Sequence, residues 1–205
     1  MLVSAVTRRG ERTRDEILAA ATAVVLESGA REFSLREVAR RAELSPSALY
    51  NHFASREDII VAIALRALDS LSTYLAATEH DGSAADRLRA LSAAYIRFSR
   101  ERSGEYRLVF DCLENPATSW ERYLAVAEPF TLIVGACSDG LASGEFADRS
   151  GGGPGAMAYA LWALCHGHAM LISKNLHLVE GDLEGLALAG IDALLAGYRT
   201  ESVAS

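Results

Sequence analysis

Residues 34–56 read SLREVARRAELSPSALYNHFASR. Ser34 followed three residues later by Glu37 is a capping-box signature for a helix start. Leu35, Val38, Ala39 and Ala42 then lie on one helical stripe, which stops at Glu43-Leu44. Ser45 is a second N-cap, with Pro46 at the first helical position, where its missing N–H costs nothing. Leu49 and Phe53 give this second, short helix its apolar side. Two short helices across a tight turn, the second opening in small polar residues, form a helix-turn-helix pattern. The plainer alternative is a helical hairpin inside an all-α core.

The outward face of the second helix carries Ser47, Ala48, Tyr50, Asn51 and His52. No acidic residue occurs from Leu44 to Arg56, as a surface meeting phosphates requires. Tyr50, His52 and Arg56 are candidate phosphate contacts, and Ser34 and Ser45 are further DNA-contact candidates. Ser47, Ala48 and Asn51 are candidates to face base edges, Asn51 suited to adenine and Ala48 to a thymine methyl.

From Thr13 to about Leu65 the chain resembles the N-terminal domain of TetR-family transcriptional regulators. The resemblance rests on Gly29 closing a first helix, on Leu49-Tyr50-Asn51-His52-Phe53, and on Ser55-Arg56-Glu57. It departs at Glu43, where the family often has Gly, and at Arg56, where Lys is common. A second, shorter likeness is Trp162-Ala-Leu-Cys-His166-Gly167, which resembles the Trp-His-Gly signature of one group of TetR-family C-terminal domains. The resemblance implies an all-α protein: a three-helix reading head at 1–57, with an arm at 1–12, and a ligand-binding and dimerisation domain at 58–205. It also implies that the helix after Arg56 is the lever between the two, that an effector pocket exists, and that architecture is shared rather than ligand.

Composition agrees with an all-α fold. Half of the 205 residues are hydrophobic and only four are Pro. The net charge of −7 speaks against nucleic acid until the chain is divided. Residues 1–57 hold nine Arg and eight acids; the rest holds eleven bases and nineteen acids. The acidity therefore belongs to the second part, and local charge near the reading helix is what counts. Three scattered Cys fit a reducing cytoplasm. No signal-peptide core precedes Arg8-Arg9, and no apolar run reaches the ~20 residues of a spanning helix.

In chain order, residues 1–12 read as a disordered arm whose Arg8, Arg9 and Arg12, with Arg14, could touch phosphates or a minor groove; a solvated tail is the alternative. Thr13 and Glu16 cap a helix ending at Gly29. Ser55 and Asp58 cap one running to about Thr78, and Ser83 and Asp86 one to about Arg102, where Gly104 breaks it. Further helices follow at 105–114, at 118–141 with a kink at Pro129, at 157–178 and from 183 to about 198. The GGGPG of the loop 144–155 has no strand before it, so it is not a phosphate loop.

The helix at 157–178 is apolar nearly all round, and the last has Gly185, Ala189, Ala193 and Gly197 at four-residue spacing. Both suit a four-helix bundle shared by two chains; packing within one chain is the alternative. Cys165, His166 and His168 invite a metal, but only Cys165 and His168 are spaced to converge on a helix, and two ligands close no zinc site. No cofactor and no catalytic set is expected. Tyr95, Tyr106, Trp120, Trp162 and His166 are candidate walls of the effector pocket. The function expected is a cytoplasmic homodimeric regulator on a palindromic operator, a repressor released by a small molecule. The alternatives are a ligand-dependent activator, or a helical binding protein or enzyme whose helix-turn-helix is architectural.

Overall fold

In the computed structural model, described for residues 2–78, 82–112, 128–176 and 179–200, all regular elements are helices. They are α1 (Leu2–Ser28), α2 (Leu35–Arg41), α3 (Pro46–Tyr50), α4 (Arg56–Ala76), α5 (Ala84–Glu101), α6 (Ser103–Asp111), α7 (Glu128–Ala142), α8 (Gly153–Ser173) and α9 (Leu183–Tyr198). A single antiparallel bridge, Phe146 with Arg199, is the β pairing among the described residues.

Local chemistry accounts for most boundaries. Gly29, at φ +84°, ends α1 with its N–H on the Val25 carbonyl. The Ser45 hydroxyl accepts from Ala48 N–H at 3.2 Å and opens α3, with Pro46 at its first position. Ser55 accepts from Asp58 N–H at 3.0 Å before α4. Ser83 and Asp86 close a full capping box on α5.

Other boundaries differ from expectation. The stretch 2–12 is not an arm but the first turns of α1, which runs through Thr13 without a start there. Once a helix is nucleated, each added residue costs far less than the first turn. The Ser34–Glu37 box is open: Ser34 makes no side-chain cap, and the Glu37 carboxylate pairs with Arg40 and Arg41 instead of reaching back. Gly104 sits inside α6, and the break falls at Arg102 instead. α8 stops at Ser173 rather than 178, since Asn175 adopts φ +56° and Leu176 N–H returns to the Leu171 carbonyl. Residues 118–127 of the expected 118–141 helix lie outside the described residues; the rest is α7, and Pro129 falls in its first turn.

The chain forms two compact units, Met1–Asp69 with Gly104–Val126, and Ser70–Ser103 with Ala127–Ser205. The division between them falls inside α4, and the first unit includes a second segment. Its core joins Ile17, Ala21, Val24 and Val25 of α1 to Phe33, Val38, Leu49 and Phe53 and to Ile59, Ile60 and Ile63 of α4. Leu108, Val109 and Cys112 complete it. Arg41 fastens α2 to α1 through a bidentate pair with Glu27 at 2.6 and 2.8 Å, while its Nε donates to Glu37. Bonds from Arg40 and Arg41 hold the Glu37 carboxyl down to about 2.

In the second unit, Met157, Ala158, Leu161, Cys165 and Ala169 of α8 pack inward with Leu88, Leu91, Ala94, Tyr95 and Phe98 of α5. A Cβ at Gly140 would run into the Phe146 ring and Ala84, so α7 comes close there. Glu145 accepts from Ala84 and Ala85 N–H at 2.7 and 3.0 Å, a second cap on α5. By length and composition, α4 and α8 could each cross a bilayer, a reach the sequence reading granted to no segment. The two differ in burial: 56% of the α4 window lies inside the chain but only 28% of the α8 window. α4 is therefore a core helix, while α8 leaves much apolar surface outward.

Candidate nucleic-acid interface

α3 has five residues and little stability of its own, so neighbouring elements orient it. Leu49 and Phe53 anchor it at 1% and 3% exposure. Ser47, Tyr50 and Asn51 are left outside, with Ala48 and His52 half-buried. Tyr50 is 54% exposed, a large ring that the fold does not cover. Ser45 is committed as the cap of α3 and lies 3.0 Å from the Ser47 hydroxyl.

Between α2 and α3 runs a groove of about 430 Å³ lined by Ser34, Leu35, Arg36, Pro46, Leu49 and Tyr50. Arg36 is exposed on its wall, a cation that sequence reasoning passed over. The signal was present: Arg36 lies two residues past the Ser34 cap and lacks the i+4 acid that Arg12 has in Glu16. Ser34, its capping bond unmade, is exposed in the same groove.

Two predicted contacts are engaged elsewhere. The Arg56 Nη2 donates to the carbonyls of Ala30 and Arg31, both at 2.7 Å, with the guanidinium 4.5 Å above the Phe33 ring. Arg14 donates to the His52 carbonyl at 2.9 Å and lies 4.0 Å over Phe53. The turn between α2 and α3 is a Schellman closure: Leu44 N–H reaches the Ala39 carbonyl, and Glu43 N–H reaches Arg40. It places Glu43 at φ +55°, the left-handed position that favours glycine.

Of the expected pocket walls, three come together in the second unit. The Tyr95 hydroxyl is 3.2 Å from His166 Nδ1, and Trp162 stacks on His166 at 5.3 Å. Phe130 and Tyr159 flank Trp162 edge-on. Burial pushes the His166 imidazole below its usual 6.5, favouring the neutral ring. Tyr106 belongs to the first unit, buried and packed on Phe110 at 4.9 Å. Trp120 lies outside the described residues. Burial also raises the Cys137 and Cys165 thiols to about 11, so neither is poised as a nucleophile.

A capped helix-turn-helix with an acid-free outer face, followed by a helical bundle, defines a DNA-binding regulator class. Comparison with known proteins agrees. A model of bacterial regulatory proteins of the tetR family matches residues 17–63. One for the tetracyclin repressor-like C-terminal domain matches residues 88–194. The chain belongs to the TetR family of transcriptional regulators, which are DNA-binding proteins rather than enzymes.

The HTH-type transcriptional activator FasR of Mycolicibacterium smegmatis is 34% identical over 110 residues, covering 51% of this chain and 50% of FasR. The chain therefore matches about half of that relative's length. An uncharacterised HTH-type transcriptional regulator of Bacillus subtilis, YobS, is 28% identical over 188 residues, 90% of this chain and 92% of YobS. A solved structure of a protein of unknown function from Rhodococcus sp. RHA1 superposes with TM-score 0.78 at 24% identity, covering 92% of this chain and 96% of that one, and shares the fold.

Proposed function

We propose that the protein is a cytoplasmic one-component repressor that binds a palindromic operator as a homodimer and leaves it when a small molecule binds the second unit. The observation that carries this reading is the α2–α3 groove. Ser34, Arg36 and Tyr50 are exposed in its lining, which holds no acid, and Ser47 and Asn51 are exposed nearby on the acid-free stretch 44–56. Ser34, Arg36, Tyr50 and His52 hold phosphates; Ser47, Ala48 and Asn51 face base edges. Arg56 drops out of the phosphate set because its guanidinium is already held.

The second copy covers the outward faces of α8 and α9. Tyr159, Ala163, Gly167 and Leu171 form an exposed stripe on α8, and Leu186, Ala189 and Ala193 one on α9. Tyr159, Leu171 and Leu186 are at least half exposed in the single chain. Two heads in successive major grooves then read half-sites about 34–36 Å apart. The effector sits in the second unit, with Tyr95, Trp162 and His166 among its candidate contacts. It shifts α4 and changes the spacing of the heads. To take the operator from mostly occupied to mostly free, it must favour the released form by about 5 kcal/mol.

A second reading, an activator, is favoured by the likeness to FasR, itself named an activator. Selection of the purified protein on a random duplex library tests the common core of both. An enriched palindrome is expected; no enrichment, with or without metabolite extract, would refute operator binding. A reporter carrying that palindrome separates the two: deleting the protein raises output for a repressor and lowers it for an activator.

A further inference from the structure

We propose that Arg56, together with Arg14, is a positioning residue that locks the reading head to its supporting helices, and that neither is a DNA ligand. The inference rests on the operator-binding reading and says how the head is held.

Arg56 is the first residue of α4, and its side chain is 28% exposed. Its Nη2 bridges two successive carbonyls, Ala30 and Arg31, just past the end of α1. Both carbonyls lie in the turn past α1 rather than in its last turn, and a charged N–H makes a strong bond to a backbone carbonyl. The flat face of the guanidinium lies on Phe33, which is itself buried in the head's core. A planar fork with several donors can make two bonds and a stacking contact together. An ammonium is a point charge without a face to stack.

Arg14 repeats the device from α1. One N–H bonds the His52 carbonyl at the end of the α3 turn, and the plane covers Phe53. Each arginine thus joins a long helix to a backbone carbonyl of the head and to a phenyl ring of its core. α1 grips the end of α3, and α4 grips the turn that leads into α2. With α3 only five residues long, these staples set its direction. The head then moves as one body with the first turn of α4, the turn that a shift of α4 must displace.

The decisive variant is Arg56→Lys, which keeps the charge and loses the fork. Full-length wild type, Arg56→Lys, Arg56→Gln and Arg14→Lys are compared for affinity to the selected operator over a salt series, and for amide exchange at residues 46–53. Thermal melting confirms that each variant is folded. If Arg56 is a staple, Lys and Gln both weaken binding by about tenfold. The salt slope stays at the wild-type value, and exchange in α3 rises in the free protein. Arg14→Lys, at an exposed site whose change leaves the core intact, raises exchange near His52 with the slope again unchanged.

The proposal is overturned if Arg56→Lys binds like wild type while Arg56→Gln lowers the salt slope by about one charge, as a phosphate contact would. Unchanged α3 exchange in both lysine variants also overturns it. Should the wild type select no duplex, the regulator reading fails, and the exchange measurement still decides the staple.

Discussion

Asn51 and Arg36 share one exposed surface, yet removing them should have different signatures. Asn51 can pair bidentately with one base, so Asn51→Ala should relax preference at one operator position by ~1–3 kcal/mol and leave others alone. On the proposed reading Arg36 meets phosphate, so Arg36→Ala should weaken all sequences alike and reduce the salt slope by about one. Selection and salt titration of both variants check this; a uniform loss for Asn51→Ala would make it a backbone or structural residue. The residue types on this face were legible in the sequence because α3 has a local N-cap and local anchors. The destination of each arginine was not. Arg14 ends on His52 and Arg56 on Ala30 and Arg31, contacts between distant positions that no spacing rule contains.

At the scale of the element, the α2–α3 turn carries a cost that the sequence already exposes. Glu43 occupies the C′ position of a Schellman motif at φ +55°. A non-glycine residue there costs about 1 kcal/mol relative to Gly. Glu43→Gly should therefore stabilise the protein by about that amount, seen as a raised denaturant midpoint with unchanged slope. A lower midpoint would mean that the carboxylate has a stabilising role the backbone does not show. Capping at Ser45, Ser55 and Ser83 was readable for the same reason: donor and acceptor are three residues apart. Ser34 has the same pattern and makes no such bond, while the Glu37 carboxylate is held by Arg40 and Arg41 in a network that reaches Glu27 of α1. On α8, Gly167 has no neighbour within 4 Å of a built Cβ. Nothing among the described residues calls for a glycine that costs a helix about 0.5–1 kcal/mol. A partner helix crossing at Ala163 and Gly167 would account for it. Gly167→Leu should shift sedimentation from dimer toward monomer; an unchanged dimer would place the interface elsewhere.

For the whole molecule, pH acts through the second unit. Burial lowers both His166 and His168 from 6.5, with Glu184 opposing the shift at His168. As pH falls, the unfolded chain takes up these protons before the folded one does. Their contribution is thus complete above pH 6.5 and is lost as pH drops from there through the lowered folded values. Melting temperature should decline in that range, ahead of the carboxylates, whose Glu37 member titrates at about 2. His166→Gln should flatten the decline; an unchanged profile would show that the ring is as hydrated folded as unfolded.

The sequence by itself determined the helical class, the reading helix, most caps and the family, because each rests on contacts within a turn or two or on a motif contiguous in the chain. Tertiary structure alone decided the rest. Residues 2–12 became helix by propagation from a packed segment. The first unit took Leu108, Val109 and Cys112 from beyond residue 104 into its core. Tyr95 met His166 while Tyr106 went to the other unit. The guanidiniums of Arg14 and Arg56 met carbonyls and rings of distant residues within the first unit. These outcomes depend on which distant groups compete for the same donor or the same apolar space, and that competition exists only once the chain has folded.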